Sequence, residues 1–365
     1  MQLAENGWLT AIGLMSGTSV DGVDAALLKS DGHRVERIGK PVTTTYDDGE
    51  RDLILAALGG AGDVLAAERA LTLRHVDIVR SLLKENDLTV ENINVIGFHG
   101  QTIIHRPDEE LTWQIGDGAL LAQRCGIDVV ADLRRSDMAR GGQGAPFAPL
   151  YHAALVADLK TEVPVAVLNL GGVANITWIG DDRIIAFDTG PSGALLDDWV
   201  RRHTDQPFDR DGLLAASGQV HDERVDVVLR NPYFARPAPK SLDRNSFSID
   251  LEGLSPADGA ATLVALTART VAMGSDVVPQ APKLWIACGG NRLNPTIRGA
   301  IADRVTGEVV TAEDVGWNGD AIEAEAFAYL AIRSLKGLPL SLPTTTGVEA
   351  PTTGGALYKA RTFTG

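Results

Sequence analysis

The sequence predicts an α/β protein of two domains, and three observations support this. Apolar segments typical of strands alternate with longer segments of helical spacing along the 365 residues. Two pairs of strands enclose a glycine-containing turn, one near Gly17 and one near Gly171. The chain exceeds the usual size of a single domain. We interpret the two hairpins as the openings of related domains at residues 1–160 and 161–365, with the C-terminal helix free to pack back on the first.

In the first domain the pattern predicts three strands and one long helix. Two of the strands flank the small polar turn Ser16-Gly-Thr-Ser-Val-Asp-Gly22, which makes them a β-hairpin. The helix ends where the apolar spacing stops, before Asn86. The predicted elements are strands at 9–15, 23–28 and 93–98 and a helix at 63–85.

In the second domain the pattern predicts another hairpin, two further strands and a C-terminal helix. Gly337 and Pro339 end this helix in the order that helix termini favour. Residues 230–254 are rich in proline and polar side chains, which predicts a long surface excursion of the kind that forms lids or binding loops. The predicted elements are strands at 165–170, 176–179, 183–187 and 284–287 and a helix at 320–336.

Charge and composition exclude several kinds of partner. Asp and Glu number 48 against 33 Lys and Arg, a net charge of −15, which argues against nucleic acid because phosphate backbones are bound by clustered basic residues. The two cysteines form no disulfide framework. No secretory signal is recognisable, and the uncharged run 163–180 is broken by proline and glycine, so we expect no membrane partner. These features predict a cytoplasmic protein.

Three glycine turns follow predicted strands and are candidates for binding a nucleotide. In the turn 17–24, small residues allow a backbone to approach phosphate oxygens, and Asp21 suits Mg²⁺ held through water. The pairs Gly171-Gly172 and Gly289-Gly290 follow strands in the same way. None matches the phosphate-loop or dinucleotide motif. A plain hairpin turn is the alternative interpretation, because Gly, Ser and Asp are common in turns.

Two polar stretches are candidates for binding a substrate. His99 and His105 lack a third ligand nearby for zinc, so hydrogen bonding to a substrate is favoured, with a structural histidine as the alternative. The stretch from Asp132 to Asp137 includes Arg134, and arginine recognises carboxylates bidentately, which favours an anionic sugar over a solvated charged turn. Asp188 ends a predicted strand and is a candidate general base, ionised at neutral pH, or else a turn-initiating residue.

Taken together, these motifs resemble the anhydro-N-acetylmuramic acid kinases, a family of the actin, hexokinase and Hsp70-like ATPase superfamily. The similarity runs in order through nearly the whole chain. The matching stretches are Met15-Ser-Gly-Thr-Ser-Val-Asp-Gly-Val-Asp24, Phe98-His-Gly-Gln-Thr102, Gln114-Ile-Gly116, Ala131-Asp-Leu-Arg134, Gly141-Gly-Gln-Gly-Ala-Pro146, Asn169-Leu-Gly-Gly-Val-Ala-Asn-Ile-Thr177, Phe187-Asp-Thr-Gly-Pro191, Cys288-Gly-Gly290 and Glu323-Ala-Glu-Ala-Phe-Ala-Tyr-Leu-Ala331.

The resemblance implies a two-domain actin-like ATPase fold of the ribonuclease H-like type, with the active site in an interdomain cleft that closes on substrate. It also implies a homodimer that uses ATP and Mg²⁺. The implied reaction opens 1,6-anhydro-N-acetylmuramic acid with water and phosphorylates its 6-oxygen, which gives N-acetylmuramic acid 6-phosphate for the recycling of cell-wall peptidoglycan. By position, the resemblance makes the turn 17–24 the ATP phosphate site and Asp188 the catalytic base.

The residue patterns and the resemblance together give one set of candidate site residues. The expected base is Asp188, and the expected metal ligand is Asp21. The expected ATP-binding residues are Gly17, Thr18, Ser19, Val20, Asp21, Gly22, Val23, Asp24, Gly171, Gly172, Gly289 and Gly290. The expected substrate-binding residues are His99, Gln101, Thr102, Arg134 and Asp137.

Two stretches depart from the family pattern. Ser192-Gly193 stands where the family commonly has an Asn soon after Asp-Thr-Gly-Pro, and Lys240-Ser-Leu-Asp-Arg244 replaces Lys-Ser-Thr-Gly-Arg. A kinase of the same fold for another anhydrosugar, such as levoglucosan, is therefore the first alternative. A non-catalytic sugar sensor or an actin-like assembling protein is the second.

Overall fold

The computed structural model describes residues 7–17, 19–162, 164–180, 182–242 and 247–360. The chain divides into two compact units, residues 1–158 with 321–365 and residues 159–320. The division at 158 lies close to the expected boundary at 160. Residues 321–365, placed by sequence in the second domain, group instead with the first unit, as we allowed for the C-terminal helix.

The described residues form strands and helices in an α/β arrangement. The strands are β1 Leu9–Ser16, β2 Gly22–Ser30, β3 Val35–Thr45, β4 Val95–Arg106, β5 Leu111–Ile115, β6 Val129–Ala131, β7 Val165–Leu170, β8 Val173–Ile179, β9 Ile184–Pro191, β10 Leu284–Cys288, β11 Glu308–Thr311 and β12 Ala356–Tyr358. The α-helices are α1 Asp48–Ala57, α2 Val64–Glu85, α3 Gly118–Cys125, α4 Arg135–Met138, α5 Pro149–Leu159, α6 Gly193–His203, α7 Leu213–Ala216, α8 Asp222–Leu229, α9 Pro256–Gly274, α10 Pro295–Ala302, α11 Ile322–Leu335 and α12 Pro343–Thr346. None of these helices is long and apolar enough to cross a lipid bilayer.

The first unit is built on a seven-stranded sheet in the order β12-β6-β4-β1-β2-β3, with β5 pairing with β4. β1 and β2 form the predicted antiparallel hairpin, and β4 runs parallel to β1. The predicted helix 63–85 is α2, which begins after Asp63, whose side chain accepts a hydrogen bond from the Ala66 N–H. Apolar residues of α2 are buried with those of β1, β2 and β4 in one core.

Helix α11 packs on β1, β4 and β2 with its backbone unusually close to the sheet. A Cβ atom added at Gly13 in β1 would overlap the carbonyl oxygen of Ala324, and one at Gly97 in β4 would overlap that of Phe327. Only glycine permits this approach. The small side chains of α11, including Ala328, are fully buried against the sheet. This contact explains why the C-terminal residues belong to the first unit.

The second unit is built on a five-stranded sheet in the order β11-β10-β7-β8-β9. β7, β8 and β9 form an antiparallel meander, whereas β10 runs parallel to β7 and to β11. Helix α9 packs on β8 and β9 and is buried over most of its length. β9 is longer than predicted and continues to Pro191, so Asp188 lies inside this strand, paired with Asn175 of β8.

The segment predicted as a surface excursion, 230–254, contains no long helix or strand in its described residues, but it is not superficial. Tyr233, Phe234 and Phe247 are buried together in a small apolar cluster, and the ring centroids of the two phenylalanines lie 5.1 Å apart. Lys240 is also buried. The expected surface segment is therefore anchored by buried side chains at 233, 234 and 240, while residues 235–237 between them are exposed.

We expect Gly97→Ala to lower the free energy of unfolding by about 2 kcal/mol or more, because the methyl group must displace the backbone of α11. The measurement is urea denaturation of the purified protein. Gly49→Ala is the matched control, since a Cβ there lies at an ordinary 3.5 Å from Asp47 Oδ1 within α1 and should leave stability unchanged or slightly raised. Equal stabilities of the two variants would contradict the close approach of α11.

Candidate active site

The first glycine turn joins β1 to β2. The Val20 N–H donates to the Gly17 carbonyl at 3.2 Å, and Val20 takes a left-handed φ of 51° while its side chain is fully buried. Burial of this one side chain therefore fixes the turn. Ser19 Oγ donates to Asp21 Oδ1 at 2.8 Å, and Asp21 is exposed. Thr18, which sequence places in this turn, lies outside the described residues.

Buried polar groups support the turn from behind. Ser16 Oγ donates to Gln101 Oε1 at 2.6 Å and lies 2.7 Å from the Tyr46 hydroxyl. Gln101 is completely buried, so its carbonyl oxygen holds the end of β1. At the start of β2, Asp24 accepts a hydrogen bond from Thr43 Oγ1 at 2.6 Å, and the Val23 side chain lies in the core. Among the described residues of the turn, Ser19 and Asp21 therefore have exposed side chains.

His99, within β4, and Arg134, shortly after β6, form a hydrogen-bonded pair. Arg134 Nε donates to His99 Nε2 at 3.1 Å, and the opposite ring nitrogen lies 2.8 Å from the Gly100 carbonyl oxygen. These partners assign the neutral tautomer with the proton on Nδ1. Burial and the Arg134 charge hold the pKa of His99 well below its ordinary value. His99 is therefore a neutral support for the arginine.

The guanidinium of Arg134 is fixed on two sides. Its Nη1 donates to the Gly144 carbonyl at 2.6 Å, and its central carbon lies 5.3 Å from the Phe147 ring centroid. Burial lowers the pKa of Arg134 to about 10, so the side chain stays protonated at neutral pH. Among the described residues, Nη2 makes no hydrogen bond. This nitrogen can bind an anion.

Asp137 and Thr102 occupy supporting positions near this pair. Asp137 is buried and accepts hydrogen bonds from the Gly144 N–H at 2.7 Å and from Thr346 Oγ1 at 2.6 Å. It therefore holds the glycine loop that also binds Arg134. Thr102 Oγ1 accepts a hydrogen bond from Gln114 Nε2 at 3.1 Å across β4 and β5. The first unit thus brings His99, Arg134 and Asp137 together around one loop.

The two glycine pairs of the second unit lie side by side. Gly171 and Gly172 form the turn between β7 and β8, and Gly289 follows β10, the neighbour of β7 in the sheet. Gly289 has a φ of 76°, and a Cβ there would overlap Asn169 Oδ1. Arg292 donates to the Gly289 carbonyl and is paired with Glu313 and Asp320, both at 2.7 Å. A buried arginine held by two exposed carboxylates therefore fixes the turn at Gly289.

One segment, residues 233–242, holds Asp188 through three hydrogen bonds. The Asp188 N–H donates to the Lys240 carbonyl at 2.9 Å, and the Tyr233 hydroxyl donates to the Asp188 carbonyl at 2.6 Å. The Leu242 N–H donates to the carboxylate oxygen Oδ2 at 2.7 Å. The other oxygen, Oδ1, has no hydrogen-bond partner among the described residues. The Leu242 N–H therefore orients the carboxylate, and Oδ1 can still accept a proton or a hydrogen bond.

Lys240 closes this segment on itself. Its side chain is 6% exposed, and Nζ donates to the carbonyls of Tyr233 at 3.2 Å and Phe234 at 3.1 Å. Nζ also lies 4.8 Å from the Tyr233 ring centroid. Burial lowers the pKa of this lysine. Lys240 therefore fixes the segment that positions Asp188.

Comparison with known proteins assigns the family. The family model described as anhydro-N-acetylmuramic acid kinase matches residues 9–360. A protein of that name from Rhodospirillum rubrum is 50% identical over 374 aligned positions, which cover 100% of this chain and 98% of the relative. Another, from Paramagnetospirillum magneticum, is 51% identical over an alignment that covers 95% of this chain and 99% of the relative. The chain belongs to the anhydro-N-acetylmuramic acid kinase family.

A solved structure supports the fold. Component A of the Acidaminococcus fermentans (R)-2-hydroxyglutaryl-CoA dehydratase aligns with a TM-score of 0.50 and 13% identity over 90% of this chain and 99% of that one. The expected family, the actin-like α/β ATPase fold class and the kinase activity are confirmed. The roles of the individual site residues in this member of the anhydro-N-acetylmuramic acid kinase family stay predictions.

The ionisation of Asp188 differs from expectation. Burial raises its pKa to about 7, and the Leu242 N–H lowers it only in part. The pKa of this carboxylate therefore lies near neutral pH, whereas the sequence predicts an aspartate that is fully ionised there. Sequence reasoning could not see the desolvation. It also missed Tyr233, Lys240 and Leu242, because two of their three contacts with Asp188 use backbone atoms that any residue carries.

We expect Asp188→Asn to stabilise the protein at about pH 8 by an amount on the order of a few kcal/mol. The folded-state pKa lies above the ordinary value of 3.8, so the wild-type chain loses stability as pH rises toward about 7 and carries the full cost of the buried charge above it. Asparagine carries no charge to desolvate.

The check is thermal unfolding of both proteins from about pH 4 to about pH 8, where the gap in melting temperature should open with rising pH. Asp226→Asn, at an exposed position of α8, is the control and should show no such widening. A gap independent of pH would show that the folded protein does not have an Asp188 pKa near 7 and would contradict the effect of burial.

Proposed function

We propose that the protein phosphorylates 1,6-anhydro-N-acetylmuramic acid with ATP, opening the internal ether with water. The C1–O6 bond and the bond between the β- and γ-phosphates break. A bond from C1 to the water oxygen and a bond from O6 to phosphorus form. The products are N-acetylmuramic acid 6-phosphate, ADP and a proton. The observation that carries the proposal, within the family already assigned, is the oriented Asp188 carboxylate with its unpartnered Oδ1.

Asp188 serves as the base that activates water. The 6-oxygen of the substrate is an ether oxygen and carries no proton, so a base assists only by taking a proton from the attacking water. Oδ1 accepts that proton, while the Leu242 N–H holds Oδ2 in place. A pKa near 7 suits this role, because a base works best when its pKa lies near the operating pH. The released 6-oxygen then attacks the γ-phosphate.

The glycine turns bind ATP through their backbone. The carbonyls of Gly171 and Gly172 accept hydrogen bonds from the start of α6, and neither N–H of this pair has a partner among the described residues. Unpaired backbone N–H groups bind phosphate oxygens well. On the resemblance, the β1–β2 turn binds phosphate as well, and the turn at Gly289 and Gly290 serves the nucleoside. Positioning of this kind supplies most of the catalysis in phosphoryl transfer.

Mg²⁺ is the expected metal, and Asp21 fits it. Asp21 is an exposed carboxylate whose Oδ1 accepts from Ser19, and Oδ2 has no partner among the described residues. The described residues contain no group of three or more metal-binding side chains. One carboxylate with waters and phosphate oxygens is the ligand set that Mg²⁺ favours. When bound, the ion would neutralise phosphate charge.

The sugar is recognised by the first unit. Arg134 offers Nη2 to the lactyl carboxylate, and neutral His99 holds the guanidinium in orientation. Thr102 completes this polar group. Gln101 and Asp137 act indirectly. Gln101 holds Ser16, and Asp137 holds the loop that contains Gly144. Because the phosphate donor is ATP, the reaction takes place in the cytoplasm, and it serves peptidoglycan recycling. We also propose a homodimer, on the resemblance alone.

We expect turnover in ¹⁸O-labelled water to place the label on C1 of the sugar and none in the phosphate ester. Asp188→Asn should lower both ring opening and phosphorylation by about 10²-fold or more, since it removes the proton acceptor and keeps the size. Mass spectrometry of the product locates the label. Asp226→Asn is the matched control and should keep full activity. Label in the phosphate ester, or an active Asp188→Asn enzyme, would contradict the role of Asp188.

We expect Arg134→Ala to discriminate the lactyl-bearing sugar from levoglucosan, the substrate of the alternative proposal. Loss of a charge-assisted contact should raise KM for anhydro-N-acetylmuramic acid by about tenfold or more. Any activity on levoglucosan, which has no carboxylate, should change far less. Steady-state assays on both sugars measure this. Arg135→Ala is the control, since Arg135 is an exposed neighbour. Equal losses on both sugars would remove Arg134 from carboxylate recognition.

A further inference from the structure

The carbonyls that lead into the Gly171–Gly172 turn are held by the side-chain amide of Asn291. Asn291 Nδ2 lies 3.2 Å from the Leu170 carbonyl oxygen and 3.3 Å from that of Gly171. The Gly193 N–H donates to the same Gly171 oxygen at 3.0 Å. Two donors from separate elements therefore converge on one side of the turn.

Peptide geometry carries this constraint to the other side of the turn. In a trans peptide the N–H points opposite to the carbonyl of the preceding residue. Fixing the Leu170 oxygen therefore fixes the Gly171 N–H, and fixing the Gly171 oxygen fixes the Gly172 N–H. These two N–H groups have no partner among the described residues. The amide of Asn291 therefore orients the N–H groups of Gly171 and Gly172 toward the side of the turn opposite to Asn291.

Gly193 makes room for this amide. A Cβ added at Gly193 would overlap Nδ2 of Asn291 and lie 2.9 Å from its Cγ and 3.1 Å from the Gly171 oxygen. A side chain at 193 would therefore displace the amide of Asn291 from this position.

We propose that Asn291 and Gly193 act as a positioning pair that aims the Gly171 and Gly172 N–H groups at the phosphates of ATP, with Asn291 supplying the amide and Gly193 the space for it. The proposal rests on the proposed role of this turn in binding ATP. It assigns to Asn291 no contact with the reacting atoms. The proposal predicts that nucleotide binding needs an amide at this place. It also predicts that residue 193 can supply this amide in place of residue 291.

The test uses four variants of the full chain. Asn291→Gly removes the amide, and Gly193→Ala displaces it. Gly193→Ala with Asn291→Gly removes both the clash and the amide. Gly193→Asn with Asn291→Gly returns an amide from the opposite element. Asn92→Gly, at an exposed position of the first unit, is the matched control. The readouts are the Kd of a non-hydrolysable ATP analogue by calorimetry, the KM values for ATP and sugar, and the melting temperature.

We expect Asn291→Gly and Gly193→Ala each to weaken binding of the analogue about tenfold, the scale of one hydrogen bond, with little change in KM for the sugar. The Gly193→Ala, Asn291→Gly double variant should regain melting temperature but not nucleotide affinity. The Gly193→Asn, Asn291→Gly double variant should regain both. Asn92→Gly should bind the analogue as wild type does.

Two results would overturn the proposal. One is equal nucleotide affinity in the two double variants, which would make the amide irrelevant and the effect steric. The other is an unchanged Kd in Asn291→Gly. Because the binding measurement needs no turnover, it is independent of the reaction. An enzyme that binds the analogue as expected but fails to phosphorylate the sugar would contradict the proposed function and leave the positioning pair intact.

Discussion

The close approach of helix α11 to the sheet is the constraint on which the first unit depends. Gly13 and Gly97 are adjacent in paired strands, and both lie beneath the α11 backbone. That contact fixes β1 and β4 against each other a few residues before Ser16 in β1 and Gln101 in β4. β1 ends at Ser16 and the glycine turn, and His99 follows closely on Gly97 within β4. The hydrogen bond from Ser16 to Gln101 then joins the two strands directly.

The second unit reaches similar precision through backbone hydrogen bonds. Asp188 is held at its N–H, its carbonyl and one carboxylate oxygen by a single segment, and that segment is closed by the buried Lys240. Two carbonyl acceptors and an aromatic ring partly satisfy the charge of Lys240. The segment positions the base without neutralising it.

Elements with a regular period could be predicted from the sequence, and contacts between them could not. The helix 63–85 agrees with α2 because its apolar residues have helical spacing, and the strand 165–170 agrees with β7 because a short, nearly continuous apolar run is typical of a strand buried on both faces. The glycine turns could be found because each follows a strand. The contacts of Leu242 and Tyr233 with Asp188 leave no such trace, because one uses a backbone N–H and the other spans more than forty positions. The packing of α11 on Gly13 was also hidden, since the glycine that allows it looks like any other strand glycine.

The raised pKa of Asp188 links the fold to the chemistry. The carboxylate lies within β9, among buried residues such as Phe187 and Thr189, so the folded chain carries a desolvated charge whenever Asp188 is ionised. A fully solvated aspartate would be stable and a weak base, because its pKa would lie far below neutrality. The protein instead gives up folding stability at neutral pH and gains a carboxylate that is a stronger base than a solvated aspartate, so that it can accept a proton from water while that water attacks. The Leu242 N–H opposes the effect of burial, because it stabilises the ionised form.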